Sequence, residues 1–335
     1  MICVKKLLYI YNPAAGRKTA KVNLSDALEV FARQGYEITV HPTQARGDAA
    51  AAARDQGPDF DRVVCCGGDG TLNETVRGVL ELPRERRPVL GYIPAGTTND
   101  FSRTLELPRT VPELAEVAGE GVPRAIDVGL AEGNPFTYVA AFGLFTDVSY
   151  STPQASKNLL GHFAYVLEGM GKLSNIPSYH MKVTAAGGRV VEGDFIYGMV
   201  GNTVSVGGLV NLPRDKVLLD DGRFEVILIR RPENGRDWQS ILTALTTLEL
   251  AEDGAVTGFS AGEITFECGQ SVAWTVDGEF GGEQAVTHVK NLSQAVTIAC
   301  GPGSAEKRPA REHGPERGRA QNGEAVPDQA EAKGK

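Results

Sequence analysis

Four short apolar runs, Lys6–Tyr11, Tyr36–His41, Arg62–Cys66 and Val89–Ile93, recur through the first 125 or so residues with helical patterns between them. Val22–Gln34 sets Leu24, Leu28, Val30 and Phe31 near one stripe, and an alanine-rich stretch covers Asp48–Arg54. A third pattern places Leu72, Val76, Val79 and Leu80 on one side. Strands alternating with helices at these lengths imply parallel βαβ units. From about Arg124 the texture changes to short β runs punctuated by Gly and Pro, among them Phe136–Ala141, Tyr179–Thr184, Phe195–Val200, Phe224–Ile229, Glu263–Cys268 and Val272–Val276. Such spacing implies an antiparallel sandwich or barrel-like domain, interrupted by helices at Lys157–Leu173 and Trp238–Leu250.

The expected organisation is therefore an α/β domain over residues 1–125, mostly parallel, and a β-rich sandwich over 126–303. The 335 residues suit two domains. Residues 304–335 carry no aromatic and one large aliphatic, Val326, so they are read as a disordered tail.

Charge and composition remove several classes of function. The net charge is -8, and residues 1–305 hold 27 basic against 36 acidic side chains. An acidic body without a basic stripe argues against nucleic acid as the main partner. No apolar run approaches the ~20 residues that span a bilayer, so no transmembrane segment is expected. Leu7–Tyr11 is too short for a signal-peptide core and reads as a first buried strand. The five cysteines are scattered, with Cys65 and Cys66 adjacent in a strand pattern, and read as reduced residues of a cytoplasmic protein. The five histidines show no metal-ligand spacing.

Chemistry concentrates in the loops after the strands. Gly67-Gly68-Asp69-Gly70-Thr71 lies where a strand turns into a helix. Glycines there let backbone N–H groups crowd round a phosphate, and the helix N-terminus adds partial positive charge. The same residues could form a tight βα turn with Asp69 or Thr71 as a cap, but capping alone does not need so many glycines. Asp69 would either orient the loop amides or hold Mg²⁺, because a bare carboxylate repels a phosphate. Asn12–Gly16 follows the first strand and Pro94–Phe101 the fourth, so three loops meet at the carboxyl ends of parallel strands, where α/β sheets bind ligands.

These residues resemble the nucleotide-side motifs of the soluble diacylglycerol-kinase-type lipid kinases, which share a catalytic domain with sphingosine and ceramide kinases. The resemblance rests on Asn12–Gly16, Gly67–Glu74 and Ile93–Arg103, and continues in order through Ile126–Gly129, Gly207-Gly208, Leu219–Gly222 and Val276–Glu279. Gly207–Pro213 departs from the family pattern, in which Ala-Pro commonly follows the glycines. The resemblance implies an NAD-kinase-like N-terminal domain, a β-sandwich C-terminal domain and ATP in the cleft between them. It places Asn12, Pro13, Ala14, Ala15, Gly16, Thr43, Gly67, Gly68, Asp69, Gly70, Thr71, Leu72, Asn73 and Thr97 along the ATP site. Asp69 and Asp100 would stand near the phosphates and metal, and Asp127 near the hinge. A structural Mg²⁺ would be held by Asp221 with the backbone oxygens of Leu218 and Arg223.

Asp277-Gly278-Glu279 matches the catalytic stretch of the resemblance. A hydroxyl attacking a γ-phosphate needs a carboxylate to accept its proton. In an extended segment positions i and i+2 face the same way, so both acids could point into the cleft. Taken alone, the stretch reads as an Asp-Gly hairpin turn with a solvated Glu. With the resemblance, Asp277 is assigned as general base and Glu279 as its partner or alternate; the sequence does not separate them.

The function implied is an ATP- and Mg²⁺-dependent lipid kinase, with diacylglycerol as acceptor and phosphatidic acid as product. A sphingoid-lipid or NAD kinase of the same fold is the near alternative, and a non-catalytic nucleotide- or lipid-binding regulator the distant one. The lipid implies transient contact with a membrane surface, for which Lys157–Leu173 is one candidate and core packing the commoner explanation. A homodimer is compatible with all of these.

Overall fold

A computed structural model describes residues 4–18, 24–96, 99–144, 177–203, 205–206, 210–211, 217–247, 250 and 254–301. The candidate helix Lys157–Leu173, the glycines 207–208, Thr97 and the tail 304–335 lie outside the described residues.

The first half alternates as its periodicity predicts: β1 (Lys5–Tyr11), α1 (Leu24–Arg33), β2 (Tyr36–Pro42), α2 (Asp48–Asp55), β3 (Arg62–Gly67), α3 (Asp69–Leu80) and β4 (Val89–Pro94). The strands pair in parallel in the order β2-β1-β3-β4. Alternate side chains leave the two faces of this sheet. Leu7, Tyr9, Val64, Cys66 and Ile93 pack on Ala27, Val30 and Phe31 of α1. Leu8, Ile10, Val63, Cys65 and Leu90 pack on the alanines of α2 and on Leu72, Val76 and Val79 of α3. Apolar side chains buried on both faces give the near-continuous hydrophobic strands of a parallel sheet. Cys65 and Cys66 are buried and unbridged within it. Burial pushes the Cys66 thiol up to about 11, so this sulfur stays protonated and inert.

The contact between α2 and α3 depends on Gly78, where a Cβ would overlap the backbone carbonyl of Ala50. Gly78→Ala is expected to destabilise the chain by about 1–3 kcal/mol despite the better helix propensity of alanine, as a fall in the urea midpoint would show.

The chain continues through α4 (Asp100–Thr104), α5 (Val111–Glu120) and β5 (Val122–Ala131), then β6 (Asn134–Phe136) and β7 (Val139–Gly143). It resumes with β8 (Tyr179–Ala185), β9 (Arg189–Gly201), the short pair β10 (Ser205–Val206) and β11 (Val210–Asn211), and β12 (Phe224–Arg230). The last elements are α6 (Gly235–Thr247), β13 (Val256–Ala261), β14 (Glu263–Val276) and β15 (Glu279–Cys300). Some of the expected β runs differ in the structure. The run Phe136–Ala141 divides into β6 and β7, because Thr137 and Tyr138 turn their N–H groups to the side chain of Asp277. Glu263–Cys268 and Val272–Val276 form one strand, β14, with a register shift between Glu267 and Val272.

This second half has its own apolar core, in which Phe142, Phe266 and Trp274 meet edge to face or tilted, with centroids 4.9–5.9 Å apart. The two halves are not separate sheets. β15 pairs along β14 and β5, and its far end pairs in parallel with β4 at Ile298 and Leu90. One continuous sheet of 13 strands therefore carries both cores, a sheet-rich, two-domain-like organisation. Among the described residues no helix is long and apolar enough to cross a membrane.

Candidate active site

The carboxyl ends of β1 to β4 deliver four loops to one edge, and a cleft of about 740 Å³ opens above them. Asn12, Pro13, Ala14, Ala15, Gly16, Thr43, Gly68, Gly70 and Thr71 line it, together with Gln44, Ala45, Arg46, Glu74, Gly96 and Glu279. Gly67 closes β3, while Leu72 is buried in the core. Asn73 and Asp69 stand back from the lining. Asp100 opens α4, and its side chain is not described.

The loops are held tightly against each other. The Asn12 amide donates to Thr71 Oγ1 at 3.3 Å, and Asn12 Oδ1 accepts the Ala14 N–H, tying the first loop to α3. Gly68 and Gly96 cross so closely that a Cβ at Gly96 would lie 2.6 Å from the Gly68 Cα. Only glycine permits that approach, which is a packing reason for the glycines beside the phosphate-cradle reason. No side chain caps α3 at Gly68, and this helix start faces the cleft. The helix therefore presents first-turn N–H groups and its positive dipole end to an anion. Asp69 Oδ1 accepts the buried Tyr92 hydroxyl at 3.4 Å.

The two acids of Asp277-Gly278-Glu279 have different surroundings. Asp277 and Gly278 both adopt positive φ, 49° and 82°, and form the two-residue turn between β14 and β15. Strand alternation does not hold across such a turn, so the acids do not share a direction. The Asp277 side chain is 4% exposed and turns inward. Its carboxylate accepts five hydrogen bonds, from the Thr137 N–H and hydroxyl, the Tyr138 and Val139 N–H groups and the Asn73 amide, at 2.7–3.1 Å. Burial raises this carboxyl above its ordinary value, against the opposing pull of the Thr137, Val139 and Tyr138 N–H groups and the Asn73 amide. Its lone pairs are thus engaged by donors from α3 and the β6–β7 link, which Asp277 ties to the hairpin.

Glu279 is the first residue of β15, and its side chain is half exposed at the cleft. Oε1 lies 2.9 Å from where a Cβ on Gly70 would stand, directly over the start of α3. Oε2 accepts the Arg46 guanidinium at 2.6 Å. Arg46 and Glu74 were not foreseen, since each acts through a loop distant in sequence. Glu74 accepts the Gly47 N–H at 2.8 Å and fixes the loop that carries Arg46.

A second polar cluster surrounds the turn after Leu218. Asp127 is fully buried, and its carboxylate accepts the N–H groups of Gly222 and Gln294 and the Asn291 amide at 2.6–3.1 Å. Asp127 thus binds β5 to this turn and to β15, and it lies outside the cleft lining. Asp221 Oδ1 accepts the Arg223 N–H at 3.0 Å. Among the described residues three buried oxygens here have no donor: Asn202 Oδ1, Glu225 Oε2 and Asn291 Oδ1. Burial, with the Asp221 charge beside it, pushes the Glu225 carboxyl up to about 8. Among the described residues no three His, Cys, Asp or Glu side chains converge as a metal cage.

Residues 6–131 match the family of the diacylglycerol kinase catalytic domain. The chain is similar to the diacylglycerol kinase of Bacillus subtilis (strain 168), at 34% identity over 83% of this chain and 91% of that one. It is also similar to the diacylglycerol kinase of Staphylococcus aureus (strain NCTC 8325 / PS 47), at 35% identity over 88% and 92%. A crystal structure of a diacylglycerol kinase from Bacillus anthracis str. Sterne superposes with a TM-score of 0.69 at 25% identity, covering 90% of this chain and 99% of that one.

Proposed function

The chain belongs to the diacylglycerol kinase family, and from that premise we propose that its cleft moves the γ-phosphoryl group of ATP to the free primary hydroxyl of diacylglycerol. The observation that supports this most is the carboxylate of Glu279, set over the open start of α3 and across from three phosphate-type loops. The loops of β1, β3 and β4 and the amides at the start of α3 hold the triphosphate. Glu279 takes the proton of the acceptor hydroxyl as it attacks phosphorus, and ADP departs. Asp69 and Asp100 flank the phosphates, and Thr43 borders the nucleotide. Catalysis of this kind comes from positioning and charge neutralisation rather than from covalent chemistry on the protein.

We read residues 1–125 as an NAD-kinase-like nucleotide unit and 126–303 as the sandwich unit that carries the base. The acceptor is a lipid, so the chain works at a membrane surface that it meets from outside the bilayer.

Mg²⁺ fits two places. With ATP it neutralises phosphate charge. Asp221, with the Leu218 and Arg223 carbonyls, would hold a structural ion, and the surroundings suit one, because Asn202 Oδ1 and Asn291 Oδ1 near this turn are acceptors with no donor among the described residues. Saturating Mg²⁺ is expected to raise the unfolding free energy by about 2–3 kcal/mol over a chelated sample, and Asp221→Ala to remove that difference. Equal midpoints with and without Mg²⁺ in the native chain would argue against the ion.

The function itself is tested by transfer of labelled γ-phosphate to diacylglycerol, a sphingoid base and NAD. Label in phosphatidic acid supports the proposal. Label in another acceptor reassigns the substrate, and ATP binding without transfer points to a regulator.

A further inference from the structure

The ion pair between Arg46 and Glu279 joins the loop after β2 to the first residue of β15, 233 residues apart, across the mouth of the cleft. Its side chains are 78% and 51% exposed, so the pair adds little to stability. The loop that bears Arg46 is nevertheless built with care. The Thr43 N–H donates to the Tyr11 carbonyl, the Gln44 N–H to Asp48 Oδ2 and the Gly47 N–H to Glu74 Oε1, at 2.7–2.9 Å. Asp48 is held in turn by His41 at 3.2 Å. A tethered loop that presents one exposed guanidinium to an anion cleft has a purpose beyond the surface ion pair.

We propose that Arg46 is a catalytic residue that changes partner: ATP draws its guanidinium from Glu279 onto the terminal phosphate, and this exchange frees the Glu279 carboxylate to accept the proton. The proposal rests on the reading of Glu279 as base. Guanidinium offers planar paired N–H donors that match phosphate oxygens, and a doubly charged terminal phosphate competes well against one solvated carboxylate. In the transfer step the acceptor oxygen bonds to phosphorus, and its proton goes to Glu279. The bond from phosphorus to the bridging oxygen breaks, and ADP carries off the electron pair. Arg46 offsets the charge on the phosphoryl oxygens throughout. Without nucleotide the base is occupied by Arg46, so it becomes available only when there is a phosphate to transfer.

The test combines nucleotide titration with turnover, both with Mg²⁺ present. Arg46→Gln is expected to weaken ATP binding about ten-fold and lower kcat about a hundred-fold or more, with partial recovery in Arg46→Lys. AMP, which lacks the terminal phosphates, should bind native and variant alike; equal loss for ATP and AMP would overturn the proposal. Glu279→Gln should tighten ATP binding several-fold in the native background and clearly less in Arg46→Gln, because the competing pair exists only in the former. An equal gain in both backgrounds means that Arg46 does not change partner, and the proposal fails. Native turnover in Glu279→Gln would instead remove Glu279 as base, a separate result that leaves the binding cycle interpretable.

Discussion

Glu279→Gln is expected to lower kcat by about 10²–10⁴-fold while the protein remains folded and still binds ATP. The change keeps the shape of the side chain and removes its capacity to take a proton together with the charge that pairs with Arg46. The side chain is half exposed and carries no buried network, so thermal unfolding should move little. Turnover with saturating ATP and diacylglycerol, measured beside a melting curve, checks both halves. A variant that melts as the native chain does and turns over normally would exclude Glu279 as base.

Asp277→Ala should give the opposite pattern, a loss of stability of at least about 3 kcal/mol. Five donors would be stranded in a site closed to water, among them three backbone N–H groups of the β6–β7 link. For a chain of 335 residues that corresponds to a fall in Tm of roughly 4–5 °C or more. Asp277→Asn should also destabilise, since its amide would face N–H donors. The folded fraction of the asparagine variant is expected to retain phosphate transfer at low temperature. A variant that folds like the native chain and transfers nothing would return the base to Asp277.

The two acids show where sequence reasoning stops. The Asp-Gly pair announces a hairpin, and that hairpin forms. What the pair does not announce is that a positive-φ aspartate sends its side chain into the gap between β6 and β7, some 140 residues earlier. Arg46 was missed for the same reason, because its partner lies 233 residues away and no spacing records it. The parallel half was legible because β1, β3 and β4 are apolar on both faces and the loops carry glycine. β15 was not, because Glu279–Cys300 mixes buried and exposed residues with charges and glycines and breaks register between Leu292 and Val296. Helix α5 had a signal that went unread: Thr110 and Glu113 bond to each other at 2.6 Å, three residues apart around Pro112 at the helix start.

The route of β15 also sets an order of events during synthesis. On the ribosome, β4 emerges with β3 on one side and nothing on the other, since the residue that pairs with Leu90 is Ile298. At about 5–20 residues per second, roughly 10–40 s pass before that partner is made. For this interval the nascent chain has its glycine-rich loops and an unpaired strand edge that invites association, and for most of it no Glu279. The same strand later closes the edge and carries Glu279, the base proposed above, so the element that ends the exposure of the edge is also the one that completes the proposed site.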